Sequence, residues 1–218
     1  MRALVDRVRG GGAAALEPAV VAATRRTNRL VLRPYRMSDL GCWLAIEADE
    51  AVRKPLHWPE RTTSEARAHL RARTRHTILR SAGSLLVLAV EYESRVIGDV
   101  SIHLRTVAPA TRSVEVGWLL RSDYRRRGLA TEAAGELLRL AFNDVNANLV
   151  TAVISSANEA SARLARRLGF QLAARVAGYD TYLLSREAHD RPVASPRSES
   201  GAPSRSGEPS SWNERRAG

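Results

Sequence analysis

The sequence predicts an α/β domain: one mixed, mostly antiparallel sheet flanked by helices. Three observations lead there. Short segments of alternating apolar residues take turns along the chain with segments of helical period. The run LVTAVIS, 149 to 155, is continuously apolar, as expected of a strand covered on both faces. Hydrophobic residues make up 44% of 218, enough for one domain with a real core.

Each element has its own signal. RLVLRPY (29 to 35) alternates and stops at Pro34, so it reads as a strand. SDLGCWLAIEAD opens on a Ser/Asp cap signal and reads as a helix. TTSEARAHLRARTRHTIL reads as a second helix, capped near Thr63 or Ser64. SLLVLAVEYESRVIGDVSIHL reads as two strands joined by a turn near Glu93 to Arg95. SVEVGWLL is another strand. LATEAAGELLRLAF puts Leu129, Ala133, Leu137, Leu140 and Ala141 on one helical face. After 149 to 155, NEASARLARRL sets Ala160, Leu164 and Leu168 on one face, with Gly169 as its C-cap. FQLAARV and DTYLLS close the pattern as strands. The predicted order is β-α-α-β-β-β-α-β-α-β-β.

These elements lie between 24 and 187. Residues 1 to 23 are rich in Gly and Ala and read as a disordered extension. Residues 188 to 218 hold seven Ser, four Pro and three Gly and read as a disordered tail.

The net charge is +11. Residues 24 to 187 carry 26 basic against 17 acidic residues, so the excess belongs to the folded part. That implies an anionic ligand or attraction to one, with nucleic acid, acidic membrane lipid and a phosphorylated cofactor all open at this point. Cys42 is the one cysteine, which excludes an intrachain disulfide and fits a reducing cytoplasm. Its place in an early helix reads as a buried, inert thiol. The five histidines show no metal-ligand spacing, so no metal is expected. No apolar run is long enough to span a membrane.

SDYRRRGLATEA, 122 to 133, is the segment with the most to say. The strand ending at Leu120 leads through Arg121 to Arg127 into a turn at Gly128, where a helix begins. The first amides of a helix have no partner of their own, and the helix dipole is positive there. Gly128 lets a ligand approach the backbone, and Ala130 is small for the same reason. The amides of Leu129, Ala130 and Thr131 point outward, and Arg125, Arg126 and Arg127 add charge. A diphosphate fits this turn.

Arg125-x-x-Gly128-x-Ala130 resembles the acyl-CoA pyrophosphate loop of the GNAT superfamily of N-acetyltransferases. Asn158 to Phe170, NEASARLARRLGF, is similar to the Asn-x-x-Ser…Leu-Gly-Phe segment of that superfamily. TNRLVLRPYRMSDL and VEVGWLLRSDYRRRGLATEA look like the start and core of the subfamily that acetylates ribosomal-protein N-termini. The resemblance spans about 27 to 184 and implies the GNAT-like fold and acetyl-CoA as co-substrate. It also implies direct attack of an amine on the thioester in a ternary complex.

Glu115 sits alone among apolar neighbours on its strand, on the face opposite Val114, Val116, Trp118 and Leu120. The resemblance makes it the general base; a salt bridge to an arginine is the other reading. Where many members carry a proton-donating tyrosine, this chain has Ala165. Ser161 is the donor that the resembling subfamily suggests instead. Asn158 would hydrogen-bond the pantetheine arm, and also reads as a helix cap. The backbone of Trp118, Leu119 and Leu120 would pair with that arm as a further strand. The Trp118 side chain itself reads as core. His103 and the His57-Trp58 pair are placed near the acceptor, with a hydrogen-bonded histidine and a loop anchor as the plainer readings.

The expected acceptor is a protein N-terminus or a small-molecule amine. A non-catalytic acyl-CoA sensor or scaffold is the alternative, kept open by Ala165. A nucleic-acid-binding module is the less favoured one, because aromatics are 5% of the chain and no nucleic-acid-binding signature accompanies the arginines. The sequence leaves a homo-oligomer open.

Overall fold

A computed structural model describes residues 14–191. In chain order the strands are β1 (Ala15–Val21), β2 (Arg25–Arg26), β3 (Leu30–Arg33), β4 (Ile78–Ser81), β5 (Leu85–Tyr92), β6 (Arg95–Thr106), β7 (Ser113–Leu120), β8 (Leu149–Ser155), β9 (Gln171–Val176) and β10 (Tyr179–Ser185). The α-helices are α1 (Leu40–Ala48), α2 (Glu50–Arg53), α3 (Thr63–Arg73), α4 (Leu129–Arg139), α5 (Glu159–Arg167) and α6 (Arg186–Asp190). Among the described residues no helix is long and apolar enough to cross a membrane.

The main sheet runs β2-β3-β5-β6-β7-β8-β10-β9, and β1 pairs with β4 beside it. Neighbours in the main sheet are antiparallel except β7 and β8, which run parallel. This is the mixed, mostly antiparallel sheet that the alternating segments predict.

Two cores cover its two faces. Leu88, Val100, Ile102, Val114 and Val150 pack against α4 through Leu129, Ala133 and Leu137. Val87, Ala89 and Val96 pack against Trp43 and Ile46 of α1 and Ala66 and Leu70 of α3 on the other face. Alternation along β5 and β6 sends successive side chains to opposite cores. At Gly98 the backbone of β7 leaves no room for a side chain on β6. A Cβ there would lie 2.1 Å from the Leu119 carbonyl oxygen, so any side chain would force the strands apart.

Trp43 anchors the second core. It is fully buried and its indole N–H donates to the Ala66 carbonyl at 3.1 Å. Tyr35 and His69 meet it edge-on, and the Arg73 guanidinium lies 4.7 Å from its ring centroid. Trp43→Ala should cost about 3–5 kcal/mol, read as a lower urea midpoint at unchanged m-value.

Three boundaries differ from the sequence reading. Residues 15–21 were expected in a disordered extension but form β1, because Leu16 is buried against the sheet and the strand has β4 as partner. The second helix was expected to run to Leu79. It ends at Arg73, where Thr74 turns its hydroxyl back to the Arg71 carbonyl, and fully buried Leu79 belongs to β4. The folded part also continues past 187, as α6, capped by the Ser185 side chain. Residues 1–13 and 192–218, which carry the remainder of the two expected disordered segments, lie outside the described residues.

Candidate acyl-CoA site

Strand β7 leads straight into the arginine-glycine turn. A 3-10 turn over Ser122–Tyr124 follows it, and Arg126 takes a φ of 60°. Gly128, at φ 76°, is the N-cap of α4 and offers no side chain to cap it. Among the described residues the backbone amides of residues 126 to 131 donate to no protein acceptor, while Glu132 N–H returns to the Gly128 carbonyl at 3.1 Å. A helix that begins without a cap, on left-handed glycine, presents a row of outward amides and the positive end of its dipole.

The turn is held from both sides. Asp49 accepts the Ser122 amide at 2.6 Å, and Arg125 donates to the Ala51 carbonyl at 2.8 Å. Arg29 donates to the Arg127 carbonyl and pairs with Glu132 at 2.8 Å. Arg127 lies over the Tyr92 and Tyr124 rings, with its guanidinium 5.2 and 5.7 Å from the two centroids. Arg125 and Arg127 thus brace the turn as well as charging it, and Arg126 is exposed.

Glu132 fixes the first turn of α4 to the N-terminal strand region. Burial acts to raise its carboxyl, and hydrogen bonds from the Thr27 hydroxyl and from the Arg29 backbone and side chain outweigh that, so it lies below its ordinary 4.5. A lowered folded-state value means stability that is present above about pH 4.5 and lost as pH falls through the folded value. Glu132→Gln should therefore reduce the loss of stability on acidification below that point, as measured by urea midpoints across pH.

Strands β7 and β8 pair only from Ser113↔Leu149 to Glu115↔Thr151. Beyond that they splay. Trp118, Leu119 and Leu120 stay paired with Val100, Asp99 and Gly98 of β6, and their other edge faces the opening. The splay forms a cavity of about 190 Å³. Gly117 and Trp118 line it from β7, Val153 and Ser155 from β8, and Asn158 and Ser161 from the start of α5. Leu56, His57 and Tyr179 close its mouth. A larger groove, of about 500 Å³, lies between β9, β10 and α6 and contains none of the sequence-predicted site residues.

Asn158 is the N-cap of α5: its side-chain oxygen accepts the Ser161 amide at 3.1 Å, and its side chain also lines the cavity. Ala165 is fully buried, turned away from it. Trp118 both lines the cavity and meets Phe170 edge-on, joining the first core.

Glu115 lies just before the splay, with 27% of its side chain exposed and Arg105 at 2.6 Å. The salt bridge is therefore present, and it leaves the carboxylate reachable. Across the strands Glu115 faces His103. Burial lowers the His103 pKa first, Arg105 lowers it further, and Glu115 opposes them, so the imidazole is neutral near pH 7. Neither His103 nor Trp58 lines the cavity. Trp58 is a loop anchor, packed on Trp43 and His69 with the Arg61 guanidinium 5.3 Å from its ring. Its neighbour His57 is the one that reaches the mouth. Cys42 is half-buried beside the second core. The sequence reading missed Tyr179, whose hydroxyl lies 3.2 Å from His57 Nδ1. Nothing local in GYDTYLLS marks it; the contact joins positions 122 residues apart.

Comparison with known proteins bears on the family and the fold. A family model described as an acetyltransferase (GNAT) domain matches residues 29–171. The uncharacterized N-acetyltransferase YoaA of Bacillus subtilis (strain 168) is 31% identical over 75 residues, 34% of this chain and 41% of that protein. The match thus spans about two fifths of that relative. In three dimensions the chain is similar to a GNAT-family acetyltransferase from Bacillus anthracis, with TM-score 0.64 and 18% identity over 76% of this chain and 99% of that one. It is also similar to RimL, a ribosomal L7/L12 alpha-N-protein acetyltransferase solved in complex with coenzyme A, with TM-score 0.60 and 17% identity over 76% and 99% of the two chains.

Proposed function

This chain belongs to the GNAT acetyltransferase family, and on that premise we propose that it moves an acetyl group from acetyl-CoA to a primary amine by direct attack. One observation carries the reading. The uncapped amides of residues 126 to 131 stand at the end of the same strand, β7, whose free edge opens onto the splay. A diphosphate on those amides would hold a pantetheine arm along Trp118 to Leu120, beside Asn158. The thioester then lies in the cavity. These residues fit such a ligand, since they offer anion-binding amides, an unpaired strand edge and a cleft of mixed polarity between β7 and β8.

The amine must reach the thioester unprotonated. Glu115 takes its proton, directly or through a water molecule, from the face that His103 shares. Arg105 pairs with the carboxylate and leaves it reachable, and the neutral His103 beside it adds no positive charge to repel an ammonium. Ser161 and Tyr179 are hydroxyls that could serve the leaving thiolate. At the opening, Leu56 and Val153, 39% and 47% exposed, set apolar surface beside His57 and the 41% exposed Tyr179, and among the described residues no carboxylate lines the cavity. With a basic excess over the domain, this favours a small amine or a neutral protein N-terminus over a strongly basic peptide. The likeness to RimL supports keeping ribosomal-protein N-termini among the acceptors to be tried. A reducing cytoplasm remains the proposed setting.

The full burial of Ala165 favours a second reading, an acyl-CoA sensor without turnover. Calorimetry with acetyl-CoA and release of free CoA across a panel of amines and N-terminal peptides separate the two. Binding with acceptor-dependent CoA release is expected; binding with no release under any acceptor would support the sensor, and no binding would contradict both.

A further inference from the structure

Tyr179 opens β10 opposite Ser155 of β8. Alternation turns it to the open face with Thr181, while Asp180 and Tyr182 are buried on the other. Its hydroxyl and the His57 Nδ1 are 3.2 Å apart, and the two rings are tilted with centroids 6.0 Å apart. His57 itself takes φ 52°, and Tyr179 follows the Ala177-Gly178 hairpin turn, whose φ values are 50° and 83°.

The hydroxyl-bearing side chains that line the splay cavity are Ser155, Ser161 and Tyr179. Two are aliphatic alcohols and one is a phenol. A phenol is much the stronger acid, so it is the better proton donor to a thiolate. The α5 position where a tyrosine would do this work is the fully buried Ala165. When His57 Nδ1 carries its proton, it donates to the phenol oxygen and leaves the Tyr179 O–H free to turn into the cavity.

We propose that Tyr179 protonates the departing thiolate, with His57 as its positioning residue. The inference rests on the acyl-CoA reading above. The amine lone pair forms the new bond to the acetyl carbon, and the carbon–sulfur bond breaks with its electron pair passing to sulfur. The Tyr179 proton moves to that sulfur, giving neutral CoA. The proton lost from nitrogen leaves through Glu115, and water returns one to the phenolate.

The test needs no acceptor. The full chain is loaded with CoA, and its thiol is titrated by thiolate ultraviolet absorbance, with the desulfo-CoA complex as blank. A phenol donating to the thiolate stabilises it and lowers the midpoint pH of the bound thiol. Tyr179→Phe should raise that midpoint by about one unit, a roughly tenfold fall in thiol acidity. His57→Phe should move it the same way by less, and Thr181→Val, on the same face of β10 but outside the cavity lining, should leave it in place. An unchanged midpoint in Tyr179→Phe, or a shift found only in Ser161→Ala, overturns the proposal and leaves acyl-CoA binding standing. Failure of the wild-type chain to bind CoA would instead remove the acyl-CoA reading, and this inference with it.

Discussion

Gly128→Val is expected to abolish acetyl-CoA binding while the domain stays folded. Gly128 holds φ 76°, and a Cβ built there lies 3.3 Å from Arg29 Nη2. A β-branched residue in the left-handed region costs at least about 1–2 kcal/mol. The chain can relieve this by rotating the peptide groups around 128, which turns the neighbouring amides away from a common point. It can instead keep its path, and then two methyl groups stand where the diphosphate would lie. Both routes cost the ligand its amides, and affinity should fall by a factor of about 100 or more, which is about 2.7 kcal/mol. The core under α4 begins at Leu129, which points inward and is not disturbed. Circular dichroism should therefore be retained while the calorimetric signal disappears.

Glu115→Gln is expected to lower turnover roughly 10²- to 10⁴-fold with acetyl-CoA affinity nearly unchanged, the range for loss of a general base. The substitution keeps shape and removes the ability to take a proton. Glu115 does not line the splay cavity, so the cofactor should not sense the change. The ion pair with Arg105 supplies the competing account, in which Glu115 only joins neighbouring strand residues. Arg105→Ala tells them apart. If the pair is only structural, both variants lose the same small stability and both keep turnover. If Glu115 is the base, Glu115→Gln alone shows the large loss.

Much of this arrangement can be read from the sequence because it is local. The apolar run in 85 to 92 specifies a strand covered on both faces, and alternation in 95 to 106 and 113 to 120 specifies strands whose faces differ in polarity. The Asn158 cap and the strand-turn-helix around Gly128 are each complete within a dozen residues. The elements that escape are those defined by a distant partner. β1 and the four-residue β4 are strands because each lies beside the other. Thr74 to Thr77 contains no glycine or proline to stop a helix, so the end of α3 is decided by Leu79 reaching the core. Arg105 could not be chosen from 33 arginines as the partner of Glu115. The His57–Tyr179 contact is set by how the segment at 57 meets the first residue of β10 over the splay.

The central claim is that the turn at Gly128 grips a diphosphate and so lays the thioester between β7 and β8. A crystal structure of the full chain with acetyl-CoA tests it most directly. Diphosphate oxygens within about 2.7–3.2 Å of several amides among residues 126 to 131, with the acetyl group in the splay beside Gly117, is the predicted result. A diphosphate bound elsewhere, or these amides taken by the protein's own side chains in the complex, would contradict it.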